Sequence, residues 1–122
     1  MERIERVEAA VEALGLSKEA MAHLLGTAGI CAALAEDRGE NPELAYIAGL
    51  LHDVALYLTG SSLNHGRRGA AWAENTLREL GCFAEKEIRL IHNAIYLHSD
   101  KHVIHGPFAQ LLKEADVLQK GQ

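Results

Sequence analysis

Alanine and leucine supply 37 of the 122 residues and proline only two, a bias that constrains the fold more than any other feature of the chain. Alanine and leucine have high helix propensity, whereas proline breaks helices. The β-branched residues that favour strands are sparse. The composition therefore predicts an all-α fold.

Capping and breaking residues divide the chain into helical segments. Ser17 is a predicted N-cap, Asn41-Pro42 combines an N-cap with a proline at the first helical position, and Gly81 is a predicted terminator. The segment Thr59-Gly60-Ser61-Ser62 is a polar break. We predict a compact domain of five to six helices, at about residues 2–14, 18–36, 42–51 or beyond, 64–80, 84–98 and 107–118.

Length and charge limit the classes of protein and partner. A chain of 122 residues is expected to form a single domain, residues 1–122. The net charge is −5, which argues against a nucleic-acid partner because such binding needs a basic surface. A homodimer is compatible with the sequence, although nothing in it requires one.

The compartment is predicted from cysteines and hydropathy. Cys31 and Cys82 form no C-x-x-C pair and indicate a reducing environment. The N-terminus lacks an apolar signal core, and no uncharged apolar run reaches about 18 residues. We therefore expect a cytoplasmic protein with no membrane partner.

A single polar doublet interrupts the apolar run from Ala45 to Leu58, and this doublet is His52-Asp53. An ionised carboxylate within an apolar segment is costly unless it is paired or binds a metal. A buried, hydrogen-bonded Asp–His pair would also meet this cost. The doublet alone therefore leaves a structural and a functional interpretation open.

Two further residues favour the metal interpretation. His23 lies beside the apolar stripe of the second predicted helix, and Asp116 lies among apolar residues of the last one. With His52 and Asp53 they would supply two imidazoles and two carboxylates, whose charges balance one divalent cation. Mixed imidazole and carboxylate ligands suit Fe, Mn, Co, Zn or Ni better than Ca or Mg.

The order of these residues resembles the HD-domain superfamily of metal-dependent phosphohydrolases. The pattern is His23, then His52-Asp53, then a middle histidine segment, then Ala115-Asp116, over residues of about 20–119. The resemblance implies an all-α fold of five or more helices. It also implies that His23, His52, Asp53 and Asp116 bind a divalent metal ion.

Two segments resemble the variant of the superfamily that holds two metal ions. The segment Asn64-His65-Gly66-Arg67-Arg68-Gly69-Ala70 is similar to its histidine-containing helix start, and Ala94-Ile95 with His98 matches its next motif. The resemblance implies that His65 and His98 bind the second ion, with Asp53 bridging. Alternatively, His65 lies at an exposed helix start and His98 is a hydrogen-bonded core histidine.

Three basic residues are candidates for holding a substrate phosphate. Arg67 and Arg68 open a predicted helix, where the helix dipole favours an anion. Lys101 resembles a lysine that is common at this place in related sequences. Solvation at a helix end is the alternative for each of them.

The remaining histidines are weaker candidates. His92 lies six residues before His98, about 120° away on a helix, so we expect it in the core or behind a ligand. His102 and His105 precede Gly106-Pro107 and are expected in an exposed loop, although their spacing would also suit a separate zinc site.

The sequence therefore predicts a metal-dependent phosphohydrolase acting on a small phosphorylated metabolite, foremost a nucleotide. Asp53 is the predicted catalytic residue, since it would bind the metal and orient the attacking water. Only six residues follow Asp116, fewer than many relatives use to shape a substrate pocket, which motivates a non-catalytic, nucleotide-sensing domain as an alternative. A di-iron oxygenase is a further alternative, because four histidines and two aspartates would suit it equally well.

Overall fold

A computed structural model describes residues 1–120, and these residues form seven helices and no strand. The helices are α1 (Arg3–Glu12), α2 (Lys18–Arg38), α3 (Pro42–Leu51), α4 (Val54–Thr59), α5 (His65–Leu80), α6 (Glu85–Leu97) and α7 (Pro107–Lys120). Six of them have ten residues or more, and the six-residue α4 continues α3 after a short break. The predicted all-α fold of five to six helices is confirmed.

Local capping explains most helix boundaries. The Ser17 side chain accepts a hydrogen bond from the Ala20 amide, and the Asn41 side chain accepts one from Leu44. Both N-caps were predicted from the sequence. Gly81 ends α5 in the left-handed conformation, at φ 71°, which glycine adopts without steric cost. The polar break after α4 is also present, and it begins with Gly60 at φ 71°.

The core is built between α2, α3, α5, α6 and α7. The central α3 is buried along most of its length and contacts α1, α2, α6 and α7. The long α2 packs on α3 and α7, while α5 packs on α6 and α4. Within residues 1–120, no helix is both long and apolar enough to cross a lipid bilayer.

A glycine allows α2 and α3 to pack closely. A Cβ atom added to Gly49 would lie 2.8 Å from the Ala28 Cα and 2.9 Å from the Cys31 Sγ. The backbone of α3 therefore rests directly on α2, which no larger residue at position 49 would permit. This contact brings the C-terminal end of α3 next to His23 on α2.

Candidate metal centre

Four predicted ligands from three parts of the fold converge on one point. His23 projects from α2, His52 and Asp53 occupy the break between α3 and α4, and Asp116 lies on α7. His52 Nε2 is 3.1 Å from Asp116 Oδ1 and 3.2 Å from Asp53 Oδ2. His23 Nε2 is 3.1 Å from the same Asp53 oxygen and 3.6 Å from Asp116 Oδ1. We call these four side chains the first cluster.

The break between α3 and α4 orients the side chains of His52 and Asp53. His52 keeps helical dihedral angles, whereas Asp53 has φ −114° and ψ 13°, in the sparsely populated region between helix and strand. This local deviation turns the Asp53 carboxylate toward the interior, and its side chain is 1% exposed. The carboxylate is therefore placed where it needs positively charged or hydrogen-bonding partners.

A second cluster forms on the other oxygen of Asp53. His98 Nε2 lies 3.1 Å from Asp53 Oδ1, and His65 Nε2 lies 3.5 Å from it. One ligand atom from each of these three residues lies within 4.8 Å of the others, as also holds for the first cluster. The structure thus places Asp53 between two groups of histidines, with one oxygen toward each.

Two glycines bring His65 to this position. A Cβ atom on Gly66 would lie 2.9 Å from the Tyr96 carbonyl oxygen, and one on Gly69 would lie 3.2 Å from the His52 carbonyl oxygen. The first turns of α5 are therefore pressed against the end of α6 and the end of α3. This close packing is the physical reason for glycine at positions 66 and 69.

Backbone carbonyls determine which ring nitrogen is protonated in three of the histidines. Nδ1 of His52 donates to the Gly49 carbonyl at 2.6 Å, Nδ1 of His98 to Ile95 at 2.6 Å and Nδ1 of His65 to Ser62 at 2.9 Å. A carbonyl only accepts hydrogen bonds, so Nδ1 must carry the proton. In the neutral ring, Nε2 then carries a lone pair, and this lone pair faces a carboxylate.

This donor set fits a divalent metal ion. Two lone-pair atoms at 3.1 Å repel each other unless a proton or a cation lies between them. Ligands at about 2.1 Å from one ion are about 3.0 Å apart along an octahedral edge and about 3.4 Å apart along a tetrahedral edge. Four of the six Nε2–carboxylate distances, 3.1–3.2 Å, lie in this range. The other two, 3.5 Å for His65 and 3.6 Å between His23 and Asp116, lie just above it.

Without an ion, a proton on His52 takes the place of the cation in the first cluster. Burial alone would lower the pKa of His52, but its hydrogen bonds with Asp116 and Asp53 raise the pKa to about 9. Burial would raise the pKa of Asp53, yet contacts with His23, His52 and His98 hold it far below its usual range. Asp116 likewise keeps a pKa well below normal, because His52 and Lys101 outweigh its burial. Both carboxylates are therefore ionised at neutral pH.

His98 differs from His52 in its response to burial. Burial lowers the pKa of His98, and the opposing hydrogen bond with Asp53 does not compensate for it. The His98 ring is therefore neutral at neutral pH, which is the state in which it can bind a metal.

The rim of the centre is basic. Lys101 Nζ lies 3.1 Å from Asp116 Oδ2 and also donates to the His98 carbonyl, and Lys120 Nζ lies 3.4 Å from the same Asp116 oxygen. The side chains of His23 and His65 are 11% and 18% exposed, whereas those of His52 and His98 are sealed from solvent. Among the four histidines of the two clusters, His23 and His65 are therefore the ones that solvent reaches.

The two arginines at the start of α5 differ in their surroundings. Arg68 donates to the Thr59 hydroxyl at 2.9 Å, to the Ser61 carbonyl at 2.6 Å and to the Leu63 carbonyl at 2.9 Å. Arg68 therefore fastens the loop before α5, and a phosphate contact would require these hydrogen bonds to be exchanged. Arg67 is exposed on the first turn of α5. The phosphate-binding roles of both arginines stay predictions.

The other histidines lie outside the centre. His92 is half-buried on α6, where it stacks on Tyr96 with ring centroids 6.0 Å apart, so the predicted core position is wrong. The reason is that His92 lies at the edge of the contact between α5 and α6, with its Nε2 3.8 Å from Glu74. His102 is exposed, and His105 contacts the Lys113 amine through Nδ1. Among residues 1–120, no candidate metal cluster contains either of them.

Sequence reasoning missed three residues around the centre. Gln119 contacts Nδ1 of His23 through its amide oxygen, Lys120 pairs with Asp116, and the Tyr57 ring meets the His23 ring edge-on at 6.1 Å. Tyr57 lies four residues after Asp53, while Gln119 and Lys120 lie three and four residues after Asp116. Helical spacing from each aspartate was therefore the signal that would have found them.

The fold and the two clusters together define an all-α protein with a candidate metal centre of histidines and aspartates. The family model of the HD domain matches residues 21–121. The chain belongs to the HD domain family, in agreement with the resemblance found in its sequence. No curated protein matches the chain. Members of this family are in general metal-dependent hydrolases that bind divalent ions, and some are not catalytic.

Proposed function

We propose that this protein is a metal-dependent phosphohydrolase that hydrolyses a small phosphorylated metabolite, with nucleotides as the substrate class. A single observation carries the proposal. The Nε2 atoms of His52, His65 and His98 point at the carboxylates of Asp53 and Asp116 at 3.1–3.5 Å, close to the separation expected between ligands of one ion. HD-domain membership supports the same reaction class.

A divalent ion held by such ligands supplies a water of lowered pKa and polarises a phosphoryl oxygen. The first cluster would hold one ion, and His65 and His98 would hold a second one through Asp53. Asp53 is the proposed catalytic residue, because its two oxygens contact both groups of histidines and it would orient the attacking water. The backbone carbonyls behind the histidines keep their rings in the ligating orientation.

The basic rim would bind the phosphate. Lys101 Nζ already lies against Asp116 Oδ2, so it would balance the charge of a phosphoryl group that approaches this carboxylate. Arg67 is exposed on the first turn of α5, where the helix N-terminus also favours an anion. Lys101 and Arg67 would therefore contact the substrate and not the metal ion.

The test compares metal-loaded wild type with a His52→Ala, Asp53→Ala double variant on a panel of nucleotides and other phosphate esters. We expect the double variant to lose at least about 100-fold in kcat/KM, since the water-activating group is lost. A His92→Ala variant serves as the control, because this histidine lies outside the centre. Equal turnover by the wild type and the double variant would overturn the assignment. Nucleotide binding without product over hours would instead favour a sensing domain.

The two clusters that share Asp53 also suit a di-iron oxygenase, which is the second candidate function. The distinguishing measurement is metal content together with the visible spectrum of protein purified without added metal. Stoichiometric iron with an oxygen-sensitive absorption band would favour the oxygenase. Phosphate release with manganese or cobalt would favour the hydrolase.

A further inference from the structure

A groove of about 290 Å³ lies beside the metal centre, between the outer face of α7 and the segment that connects α6 to α7. It is lined by Lys101, Gln110, Lys113, Glu114, Val117 and Leu118. Its volume is close to the lower limit of small-molecule sites, about 300 Å³, so the groove has room for part of a small organic ligand. None of its residues belongs to the two clusters.

The walls of the groove are held by interactions with the rest of the protein. Lys113 is 2% exposed, and its Nζ donates to the Val103 carbonyl at 2.7 Å and contacts Nδ1 of His105. These contacts fasten the α6–α7 segment over α7. Glu114 accepts two hydrogen bonds of 2.9 Å from Arg38 on α2. The groove is therefore shaped before any ligand enters it.

The groove presents apolar surface next to a polar centre. Val117 and Leu118 are 56% and 50% exposed, and they directly follow Asp116 on α7. Gln110 adds a side-chain amide, whose oxygen accepts a 3.4 Å hydrogen bond from the His105 amide. Apolar walls with a few polar groups are typical of sites for organic ligands.

One side chain joins the groove to the metal centre. Lys101 lines the groove, and its Nζ lies 3.1 Å from Asp116 Oδ2, while Asp116 Oδ1 faces His52 at 3.1 Å. A molecule with its phosphate at the centre and its organic group in the groove would pass directly over this ammonium group. Lys101 would then pair with the phosphate where the two parts of the molecule meet.

We infer that the groove binds the organic group of the substrate, and that Val117 and Leu118 determine specificity for a nucleoside-sized group over a small alkyl group. This inference rests on the proposed phosphohydrolase function and deepens it. The substrate would then be a phosphate monoester of a nucleoside-sized group. This group would present an apolar face to Val117 and Leu118 and hydrogen-bonding groups to Gln110.

The kinetic test uses a Val117→Ser, Leu118→Ser double variant, since both side chains are exposed and their replacement leaves the core intact. Wild type and variant are loaded with Mn²⁺ and assayed with the four ribonucleoside 5′-monophosphates and with methyl phosphate. We expect KM for the best nucleotide to rise about tenfold, while kcat/KM for methyl phosphate changes less than about twofold. Leu90→Ser, at a 38% exposed leucine of α6, is the matched control.

A binding measurement separates this inference from the proposed function. A methylene-phosphonate analogue of the best nucleotide, or of AMP if none is hydrolysed, is added to the Zn²⁺-loaded protein, and backbone amide shifts are followed by NMR. Shifts concentrated in residues 110–118 would support the groove even if no ester were hydrolysed. Hydrolysis with unchanged KM in the double variant, and shifts elsewhere, would overturn the groove while leaving the hydrolase standing. A change from dimer to monomer in the variant, with KM unchanged, would also overturn it, since the surface would then be an interface between two copies.

Discussion

His52 Nε2 lies 3.1 Å from Asp116 Oδ1, although 64 positions separate the two residues in the chain. Nδ1 of the same ring donates to the Gly49 carbonyl, so the contact with Asp116 needs either a second proton on the ring or a cation between the two atoms. Because either a proton or a metal ion must lie between these two atoms, the stability of the fold depends on whether a metal ion is bound.

Metal removal is expected to destabilise the wild type. Ligand at 100 times its Kd stabilises a protein by about 2.7 kcal/mol, which for a chain of this size corresponds to about 10 °C in Tm. In Asp116→Asn the effect of chelation should shrink to a few degrees, because one ligand charge of the first cluster is gone. Asp37→Asn, at an exposed position of α2, is the control. Thermal unfolding with and without chelator measures this, and an unchanged wild-type Tm after confirmed metal loss would contradict it.

The number of bound ions tests the second cluster. A His65→Gln, His98→Gln double variant keeps the side-chain volume but removes both nitrogen ligands on Asp53 Oδ1. We expect elemental analysis to fall from about two ions per chain to about one, with phosphate release lost and the helical circular dichroism unchanged. A His92→Gln, His102→Gln variant changes two histidines outside the clusters and should keep both ions. Saturation of the wild type at one ion would show a mononuclear centre.

Local signals made most of the fold predictable. The caps at Ser17 and Asn41 and the terminator at Gly81 are properties of a few neighbouring residues, and all three act as predicted. The separate short helix α4 was not predicted, because no glycine or proline marks a break between Leu51 and Val54. Its start depends on the Asp53 backbone, which turns the carboxylate inward.

The members of the site were predictable from sequence, but their immediate partners were not. His23, His52, Asp53 and Asp116 stand out because they are polar residues in apolar helices, and the structure brings them together. Arg68, in contrast, was expected near a phosphate on the strength of its place at a helix start. In the structure its guanidinium also holds the preceding loop, an interaction that depends on where the loop carbonyls lie in space.

The metal affinity is expected to rise with pH. A pKa of His52 raised from 6.5 to about 9 means that its protonated form stabilises the metal-free fold fully below pH 6.5, and that this contribution is lost between pH 6.5 and 9. The Tm of chelated protein should therefore fall over this interval. Because a metal ion must displace this proton, its apparent affinity should increase about tenfold per pH unit over the same interval.

Two titrations check this pH dependence. Metal binding is measured by calorimetry at pH 6.5, 7.5 and 8.5 in a non-coordinating buffer, and the Tm of chelated protein is measured at the same values. In His52→Gln the pH-dependent fall in Tm should disappear, since the titrating ring is absent. A wild-type affinity that is constant from pH 6.5 to 8.5 would show that His52 is neutral in the metal-free protein.

The close packing of α5 should make Gly66 sensitive to a single methyl group. The Cβ atom of Gly66→Ala would lie 2.9 Å from the Tyr96 carbonyl, a backbone atom that cannot rotate away, so α5 must shift. Overpacking of this kind costs about 1–3 kcal/mol in the free energy of unfolding. Gly29→Ala is the matched control, since Gly29 is a helical glycine with no atom within 4 Å of its added Cβ, and it should gain about 0.5–1 kcal/mol. Because α5 carries His65, the shift should also weaken binding of the second ion, whereas Gly29→Ala should leave both ions bound. Urea unfolding of the chelated variants and elemental analysis of the loaded ones measure the two effects, and equal stability of both variants would mean that α5 is free to move away from α6.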